Sequence, residues 1–278
     1  MKTPDLRPFL EEDVGSGDVT ADIFLPEGNG KAIITCESDS VVAGLDEAIT
    51  IFAIGNVKTE AFVSDGDFVK AGTVVLEASG SIKSLMTCER TALNFLMRMS
   101  GIANLTHSIV TEVRKKDPDL RVAATRKTTP GFRYFEKKAV ALGGGWTHRF
   151  GLYDMAMVKD NHIAAAGGID EIAKLMKNVP EGLKVEIEVL DFDEGIKAAK
   201  CGADIVMADH FSPEDTKKLR DAIKAIDPEI LVEASGNITP ETAIDYAGCA
   251  DIVSLGALTH SPKSTHFSMD YETGPGSD

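Results

Sequence analysis

The chain has 278 residues, of which 43% are hydrophobic and 26% are charged, a balance typical of a globular enzyme with room for a large core and a second, smaller domain. Its 44 acidic and 29 basic side chains give a net charge of −15, which argues against a nucleic-acid partner, because a phosphate backbone requires a basic face. A small anionic substrate is still compatible with this charge, since a local cluster of cations can override the global balance.

Four cysteines are scattered along the chain, at Cys36, Cys88, Cys201 and Cys249, and no two have the spacing of a CxxC site. This distribution indicates reduced thiols rather than a disulfide framework or a zinc site. The N-terminal segment has no apolar core of the signal-peptide kind, and no apolar run approaches the length of a membrane span. We therefore expect a cytoplasmic protein without a membrane segment.

The N-terminal third of the sequence predicts a small β-rich domain. Thr3-Pro4-Asp5 is typical of a helix start, and a Gly/Asp-rich loop is predicted over residues 12–20. Strand-like runs, separated by turn residues, follow at 31–38, 56–63 and 73–79. From Glu89 to Lys116 apolar residues then recur at helical spacing, with a break predicted near Gly101.

Beyond Pro118 strand-like and helical runs alternate, which indicates a parallel sheet with crossover helices. The density of these units favours a compact α/β barrel over an open doubly wound sheet. Helix starts are predicted at Ser212-Pro213-Glu214-Asp215 and at Thr239-Pro240-Glu241. The predicted strands are 121–125, 154–158, 184–189, 204–208, 230–234 and 251–255.

The expected fold class is therefore α/β, with an N-terminal α+β sandwich domain over 1–104 and an incomplete parallel α/β barrel of six or seven strands over 105–261. An alternating apolar pattern at 265–271 predicts one last strand, so the segment 262–278 is expected to return to the first domain. Gly274–Asp278 are expected to be disordered.

Polar residues at the carboxyl ends of the barrel strands are the candidate site residues, because the loops there form the active face of such barrels. The early strands end in cations, the middle strands carry carboxylates and the late strands end in small residues. In the strand 184–189 the two glutamates share one face and the apolar residues share the other. The candidates are Arg126, Lys127, Lys159, Asp160, Asn161, His162, Glu186, Glu188, Asp209, His210, Ser235, Gly236 and Gly256.

Glu188 and Asp209 are the candidate metal ligands. A lone carboxylate buried in a barrel mouth is costly, so each should meet a cation or a metal. Two carboxylates with water are a usual Mg²⁺ site when the ligand supplies phosphates. Ser235-Gly236 and Gly256-Ala257 fit a phosphate held by backbone N–H groups. Each of these residues alone also has a structural interpretation, as an internal ion pair or a turn, and the chemical interpretation depends on their shared position at strand ends.

Several motifs resemble those of the quinolinate phosphoribosyltransferase family, and they occur in order from Glu12 to Tyr271. The central motif is Ala124–Arg133, with the sequence ATRKTTPGFR. The others are Glu89–Asn94, Ser100–Ala103, Glu136–Val140, Gly143-Gly144-Gly145, His148-Arg149, Gly151-Leu152, Lys159–His162, Glu233–Gly236 and Gly256–Ser261.

This resemblance implies transfer of a phosphoribosyl group from phosphoribosyl pyrophosphate to quinolinate, with decarboxylation, to give nicotinate mononucleotide, pyrophosphate and CO₂. It implies Mg²⁺ as cofactor, with Mn²⁺ as a substitute. The residues expected around the quinolinate carboxylates by matching motif are Arg90, Arg126, Lys127, His148, Arg149 and Lys159.

The same resemblance implies a phosphoribosyl pyrophosphate site, with Glu188 and Asp209 on the metal. Lys127 and Lys159 complete the expected catalytic set with these two carboxylates. A homodimer, or a higher assembly such as a hexamer of dimers, is also implied, with Arg90 of one chain completing the site of its partner. The residues expected around phosphoribosyl pyrophosphate are Lys127, Asp160, Asn161, His162, Glu188, Asp209, Ser235, Gly236, Gly256 and His260.

One position departs from the family pattern: His210 stands where asparagine is expected after the metal-site aspartate. This keeps open a paralogous phosphoribosyltransferase with another acceptor, of the kind associated with molybdate transport. The segment Val63–Gly72 resembles the turn of biotinyl and lipoyl carrier domains, but it places no modifiable lysine at a hairpin tip. We interpret that segment as part of the small domain's scaffold.

Overall fold

The computed structural model describes residues 3–272, so the C-terminal residues expected to be disordered lie outside the described range. Within it, no helix combines the length and the apolar character needed to cross a membrane. The chain forms two compact units. The first comprises residues 3–107, 134–144 and 262–272, and the second comprises residues 108–133 and 145–261.

The first unit is built on a four-stranded antiparallel sheet, and the predicted strands of this region are confirmed. β1 (Asn29–Cys36) pairs on one side with β5 (Thr73–Ser81), which in turn pairs with β3 (Lys58–Ala61). On its other side β1 pairs with the last strand of the chain, Phe267–Glu272, so the predicted return of the C-terminal segment is also confirmed. The remaining elements are β2 (Ser40–Val41), β4 (Phe68–Val69), α1 (Arg7–Val14), α2 (Val19–Phe24), α3 (Leu45–Ile54), α4 (Ile82–Lys116) and α5 (Arg133–Leu142).

Helix boundaries near the N-terminus differ from those predicted. α1 begins at Arg7 rather than after Thr3, and the Asp5 carboxylate accepts a hydrogen bond from the Arg7 N–H. The predicted loop over 12–20 is shorter, because α1 continues to Val14 and α2 begins at Val19. Asp18, inside that loop, caps α2 by accepting the Ala21 N–H.

The predicted break at Gly101 is wrong, because α4 runs without interruption from Ile82 to Lys116. The glycine has a packing role instead. A Cβ at position 101 would lie 2.2 Å from the carbonyl oxygen of Lys263, in the segment that leads to the last strand. The absence of a side chain therefore allows two backbone segments to approach closely.

The second unit is an incomplete parallel α/β barrel of six strands, and all six predicted strands are present. The order is β6-β11-β10-β9-β8-β7, so that β6 and β7 are the two edges. A single parallel bridge joins Ala123 in β6 to Trp146. The strands are β6 (Arg121–Ala124), β7 (Ala156–Val158), β8 (Val185–Val189), β9 (Ile205–Asp209), β10 (Leu231–Ser235) and β11 (Ile252–Leu255).

Helices follow most of these strands and cover the sheet. Val185, Ile187 and Val189 lie in the apolar core that these helices share with the sheet, whereas the alternating Glu186 and Glu188 face the other side. The helices are α6 (Asp160–Ala166), α7 (Ile169–Leu175), α8 (Phe192–Lys200), α9 (Pro213–Ile226) and α10 (Ala257–His260).

Of the two predicted helix starts in this unit, one is confirmed. The Ser212 hydroxyl accepts the Asp215 N–H at the start of α9. At the second start, Thr239 and Thr242 bond to each other's backbone N–H groups, and only a short 3₁₀ helix, Ala243–Tyr246, follows. The prediction of a regular helix there is wrong, because the threonine side chains close a turn instead.

Candidate active site

A cavity of about 840 Å³ opens at the carboxyl ends of the barrel strands in the second unit. Its position agrees with the strand-end reasoning, because each strand of the sheet contributes lining residues. The lining residues are Ala124, Thr125, Arg126, Lys127, His148, Arg149, Leu152, Met155, Ala156, Met157, Val158, Lys159, His162, Glu188, Met207, Asp209, His210, Glu233, Ser235, Gly236, Asn237 and Ser254.

Four cations line this cavity: Arg126 and Lys127 after β6, Arg149 before β7, and Lys159 after β7. The Arg126 Nε is buried and has no hydrogen-bond partner among the described residues. Arg149 is only 9% exposed, and its guanidinium donates to the Met155 carbonyl oxygen at 3.2 Å. Burial, followed by repulsion from Arg126, lowers the pKa of Arg149. The two guanidinium groups therefore place positive charges close together, and an anionic ligand would reduce the repulsion between them.

Glu188 and Asp209 place carboxylates in the same cavity, on the neighbouring strands β8 and β9. Glu188 is 7% exposed, and Lys159 forms an ion pair with its Oε2. Asp209 ends β9, and its Oδ2 lies 3.6 Å from the Nε2 of His210. One of the two carboxylates is thus held by a lysine, and both have oxygen atoms suited to a hard divalent cation.

Small residues border the cavity where β10 and β11 end. Gly236 has φ of +90°, and a Cβ there would lie 2.7 Å from the backbone nitrogen of His210. A Cβ at Gly256 would lie 2.9 Å from Lys127 Cδ and 3.0 Å from His260 Nε2. Gly256 and His260 do not line the cavity themselves, but they lie directly beside Lys127, which does.

His210 adopts an unusual backbone conformation, with φ of +62°. Its N–H donates to the Ser235 carbonyl oxygen at 2.9 Å, which brings the residue against Gly236. Asparagine tolerates this left-handed region better than histidine does. His210, at which the sequence analysis expected asparagine, therefore lines the cavity in a backbone conformation that favours asparagine over histidine.

His148, Glu186 and Glu233 form a buried group, and two of its members, His148 and Glu233, line the cavity. His148 Nε2 is 2.9 Å from Glu233 Oε2 and 3.3 Å from Glu186 Oε2. Burial first, and then the Glu233 carboxylate, raises the pKa of Glu186 well above its usual range. Neither Glu186 oxygen accepts a hydrogen bond from any residue that the structure describes.

These three residues have the ligand types of a metal site, but the hydrogen bonds of His148 oppose that use. The backbone N–H of Arg149 donates to His148 Nδ1 at 2.7 Å, so Nδ1 carries a lone pair. A neutral imidazole then has its proton on Nε2, the nitrogen that faces both carboxylates. A protonated nitrogen cannot ligate a metal. In this hydrogen-bonded state His148 therefore has a structural role and is not a metal ligand.

Some expected site residues lie elsewhere. Arg90 is on α4 in the first unit, where its side chain is 58% exposed and lies 3.9 Å from Glu89. Asp160 and Asn161 are exposed in the first turn of α6, with the Asp160 carboxylate accepting the Asn161 N–H, and neither lines the cavity. His162, from the same turn, does line it, and its Nδ1 accepts the Lys159 N–H.

Sequence reasoning missed four polar lining residues as site residues: Thr125, Glu233, Asn237 and Ser254. The signal for Glu233 was present, since it is a charged residue in an otherwise apolar strand, as Glu186 and Glu188 are. Asn237 gave no such signal. It lies in the loop after β10 with φ of +52°, a feature that only the backbone reveals.

Comparison with known proteins agrees with this geometry. Residues 18–100 match the N-terminal domain of quinolinate phosphoribosyl transferase, and residues 102–270 match its C-terminal domain. A probable nicotinate-nucleotide pyrophosphorylase [carboxylating] of Archaeoglobus fulgidus is 40% identical over 91% of this chain and 97% of its own length. The human nicotinate-nucleotide pyrophosphorylase [carboxylating] is 37% identical over 87% of this chain and 82% of its own length.

Solved structures give the same result. The nicotinate-nucleotide pyrophosphorylase from Francisella tularensis superposes with a TM-score of 0.91 at 32% identity, covering 98% of each chain. The enzyme of the same name from Ehrlichia chaffeensis gives a TM-score of 0.91 at 28% identity, covering 98% of this chain and all of its own. Sequence motifs, fold and relatives therefore agree, and the chain belongs to the quinolinate phosphoribosyl transferase family.

Proposed function

We propose that this protein transfers the phosphoribosyl group of phosphoribosyl pyrophosphate to quinolinate and releases pyrophosphate and CO₂, forming nicotinate mononucleotide. The observation that carries the proposal is the cavity at the strand ends, which is lined both by a cluster of cations and by two carboxylates on neighbouring strands. Arg126, Arg149 and Lys159 are suited to an anionic acceptor, and Glu188 with Asp209 to a metal on the donor. Named relatives at 35–40% identity over most of the chain support the same activity.

The acceptor end of the cavity is suited to a dicarboxylate. Quinolinate is a dianion, and a guanidinium group binds a carboxylate through two parallel hydrogen bonds. The unpartnered Arg126 Nε and the repulsion between Arg126 and Arg149 support a ligand that supplies negative charge to both. Binding in this position would hold the ring nitrogen toward the carboxylate side of the cavity, where the ribose is expected.

The donor end is suited to a phosphorylated sugar with a divalent cation. Glu188 and Asp209 would hold Mg²⁺, which supplies charge neutralisation for the leaving pyrophosphate. Ser235 and Gly236 border the cavity beside them and would bind the 5′-phosphate through backbone N–H groups. Gly256 and His260, next to Lys127, extend the same phosphate site.

The bond changes follow from these positions. The quinolinate ring nitrogen attacks the anomeric carbon as the bond to pyrophosphate breaks, and the ribose gains oxocarbenium character. Lys127 lines the same cavity and would bind negative charge that grows on the leaving group. The N-ribosylated ring is cationic, so it stabilises the electron pair left on the ring carbon when the carboxylate next to the nitrogen departs as CO₂. That carbon then takes up a proton from water, which gives nicotinate mononucleotide. No further electron acceptor is required for that step.

The direct experiment is to incubate the purified protein with quinolinate, phosphoribosyl pyrophosphate and Mg²⁺ and to measure nicotinate mononucleotide and CO₂. A parallel reaction with nicotinate distinguishes a dicarboxylate acceptor from a monocarboxylate one. Product from nicotinate and none from quinolinate would refute the proposal, and a panel of other aromatic acids would then test the paralogous acceptor raised by His210.

We further propose that the protein works as a homodimer in which Arg90 completes the site of the partner subunit. Among residues 3–272, the one ion pair of its exposed guanidinium is a loose one, at 3.9 Å, with the adjacent Glu89. An arginine held so weakly by its own chain is available to a carboxylate from another source. In a two-fold dimer each chain would then contribute one arginine to the opposite site.

A further inference from the structure

Glu233 lies mid-strand in β10, is 1% exposed and is outside the set of residues assigned to the substrates above. We infer that Glu233 is a positioning residue: it fixes His148 in the Nε2-protonated form, and His148 in turn fixes Arg149 for the acceptor. On this inference His148 does not itself bind the acceptor. The identity of the acceptor rests on the proposed function, whereas the state of His148 can be measured without it.

The first step concerns the two ring nitrogens of His148, which are both engaged within the protein. Nδ1 accepts the Arg149 N–H at 2.7 Å, and Nε2 donates to Glu233 Oε2 at 2.9 Å. The ring also packs against Trp146, with the centroids 4.6 Å apart. The side chain is only 4% exposed. A histidine held in this way has neither a spare donor nor the freedom to rotate.

The second step concerns the direction of the single ring N–H. It faces the carboxylate of Glu233 and the carboxyl group of Glu186, whose Oε2 is 3.3 Å from Nε2. A carboxylate of the acceptor that approached this nitrogen would meet the Glu233 carboxylate at close range, because Glu233 Oε2 is only 2.9 Å from the same nitrogen. Like charges so near in a buried region repel strongly. The geometry therefore favours contacts between the acceptor and the guanidinium groups, not the imidazole.

The third step concerns what the ring holds in place. His148 has φ of +53°, a region that few residues other than glycine adopt, so the surrounding bonds must stabilise it. The bond from the Arg149 N–H to the ring fixes the peptide between the two residues. The Arg149 side chain starts from that peptide, and its guanidinium is tied to the Met155 carbonyl oxygen. Glu233 thus acts on Arg149 through the ring and the peptide.

The test combines spectroscopy with kinetics on the full chain. We expect ¹⁵N-histidine NMR of the wild-type protein to show His148 protonated at Nε2 and unprotonated at Nδ1, with the same pattern after saturation with quinolinate. The spectrum of His148→Asn assigns the signal. A doubly protonated ring, the other tautomer, or a change of protonation when quinolinate binds would overturn the inference.

The kinetic arm compares two neutral substitutions of Glu233, one that keeps a hydrogen-bond acceptor and one that removes it. Glu233→Leu removes the acceptor for the Nε2–H, and we expect the KM for quinolinate to rise about tenfold, with the KM for phosphoribosyl pyrophosphate unchanged. Glu233→Gln retains an acceptor oxygen and should recover most of that loss. Equal defects in the two variants, or a defect in both KM values, would contradict positioning through a hydrogen bond.

The two arms also separate this inference from the proposed function. If the wild-type protein fails to use quinolinate, the proposed function fails, but the tautomer of His148 in the free protein is still measured. If quinolinate is used and His148 is found in another protonation state, only the positioning role fails. If Glu233→Leu does not fold, the ¹⁵N-histidine spectrum of Glu233→Gln tests the positioning role instead: His148 should remain protonated at Nε2 only, and another protonation state there would overturn the inference.

Discussion

Arg126 provides the sharpest test of the acceptor site, because its substitution should weaken binding and leave folding almost unchanged. Its Nε has no partner among the described residues, so Arg126→Ala leaves no buried acceptor unsatisfied in the free protein. Removing its charge also relieves the repulsion that lowers the pKa of Arg149. We therefore expect the free energy of unfolding to change little.

Binding should respond much more strongly. A hydrogen bond between a guanidinium and a carboxylate contributes about 1.5–3 kcal/mol, so the affinity for quinolinate should fall about ten- to a hundredfold. Calorimetric titration of quinolinate measures this directly, and the affinity for phosphoribosyl pyrophosphate should stay near that of the wild type.

The matched control is Lys184→Ala, which removes one positive charge just before β8, at the opposite end of the strand from the cavity. If Arg126→Ala acted only by changing the net charge, quinolinate binding would weaken equally in Arg126→Ala and Lys184→Ala. Such equality, or an unchanged affinity in Arg126→Ala, would refute the placement of Arg126 at the acceptor site.

Three further predictions concern the metal, the assembly and a buried thiol. Excess chelator should abolish turnover, and added Mg²⁺ or Mn²⁺ should restore it; full activity in chelator would exclude the metal. Glu188→Gln combined with Asp209→Asn should impair the use of phosphoribosyl pyrophosphate more than the binding of quinolinate. Inactive Arg90→Ala and Lys159→Ala proteins, mixed under conditions that allow subunit exchange, should regain about a quarter of wild-type activity. Half of the dimers are then mixed, and each mixed dimer has one intact site. No recovery after verified exchange would mean that each chain builds its own site. Burial raises the pKa of Cys88 to about 11, so its reactive thiolate should be scarce at pH 8 and should increase as the pH rises toward that value. Rapid labelling of Cys88 by a thiol reagent at pH 8 in the native protein would contradict this.

The barrel was predictable because its strands are short apolar runs buried on both faces, and such runs are visible without knowledge of the contacts. Most of the cavity residues follow from the same pattern, since a parallel barrel brings the carboxyl ends of its strands together. Arg126, Lys159, Glu188, Asp209 and Ser235 were all found in this way, and all line the cavity.

Features that depend on distant partners were not predictable from local sequence. The start of α3 has no capping side chain of its own, because the Leu45 N–H is bonded by Asp65, twenty residues later. Gly101 indicated a helix break, although its role is set by the backbone at Lys263. The bond between His148 and Glu233 joins residues 85 positions apart, and neither motif alone reveals it.

The pairing of β1 with the last strand, Phe267–Glu272, has a consequence for synthesis on the ribosome. β1 emerges early and can pair with β5 soon afterwards, but its other edge has to wait until the whole barrel has been translated. An open strand edge invites pairing with another chain, so the nascent protein carries an aggregation-prone surface for most of its synthesis. Pairing of the strand Phe267–Glu272 with β1 closes that edge, so it is among the last events of folding.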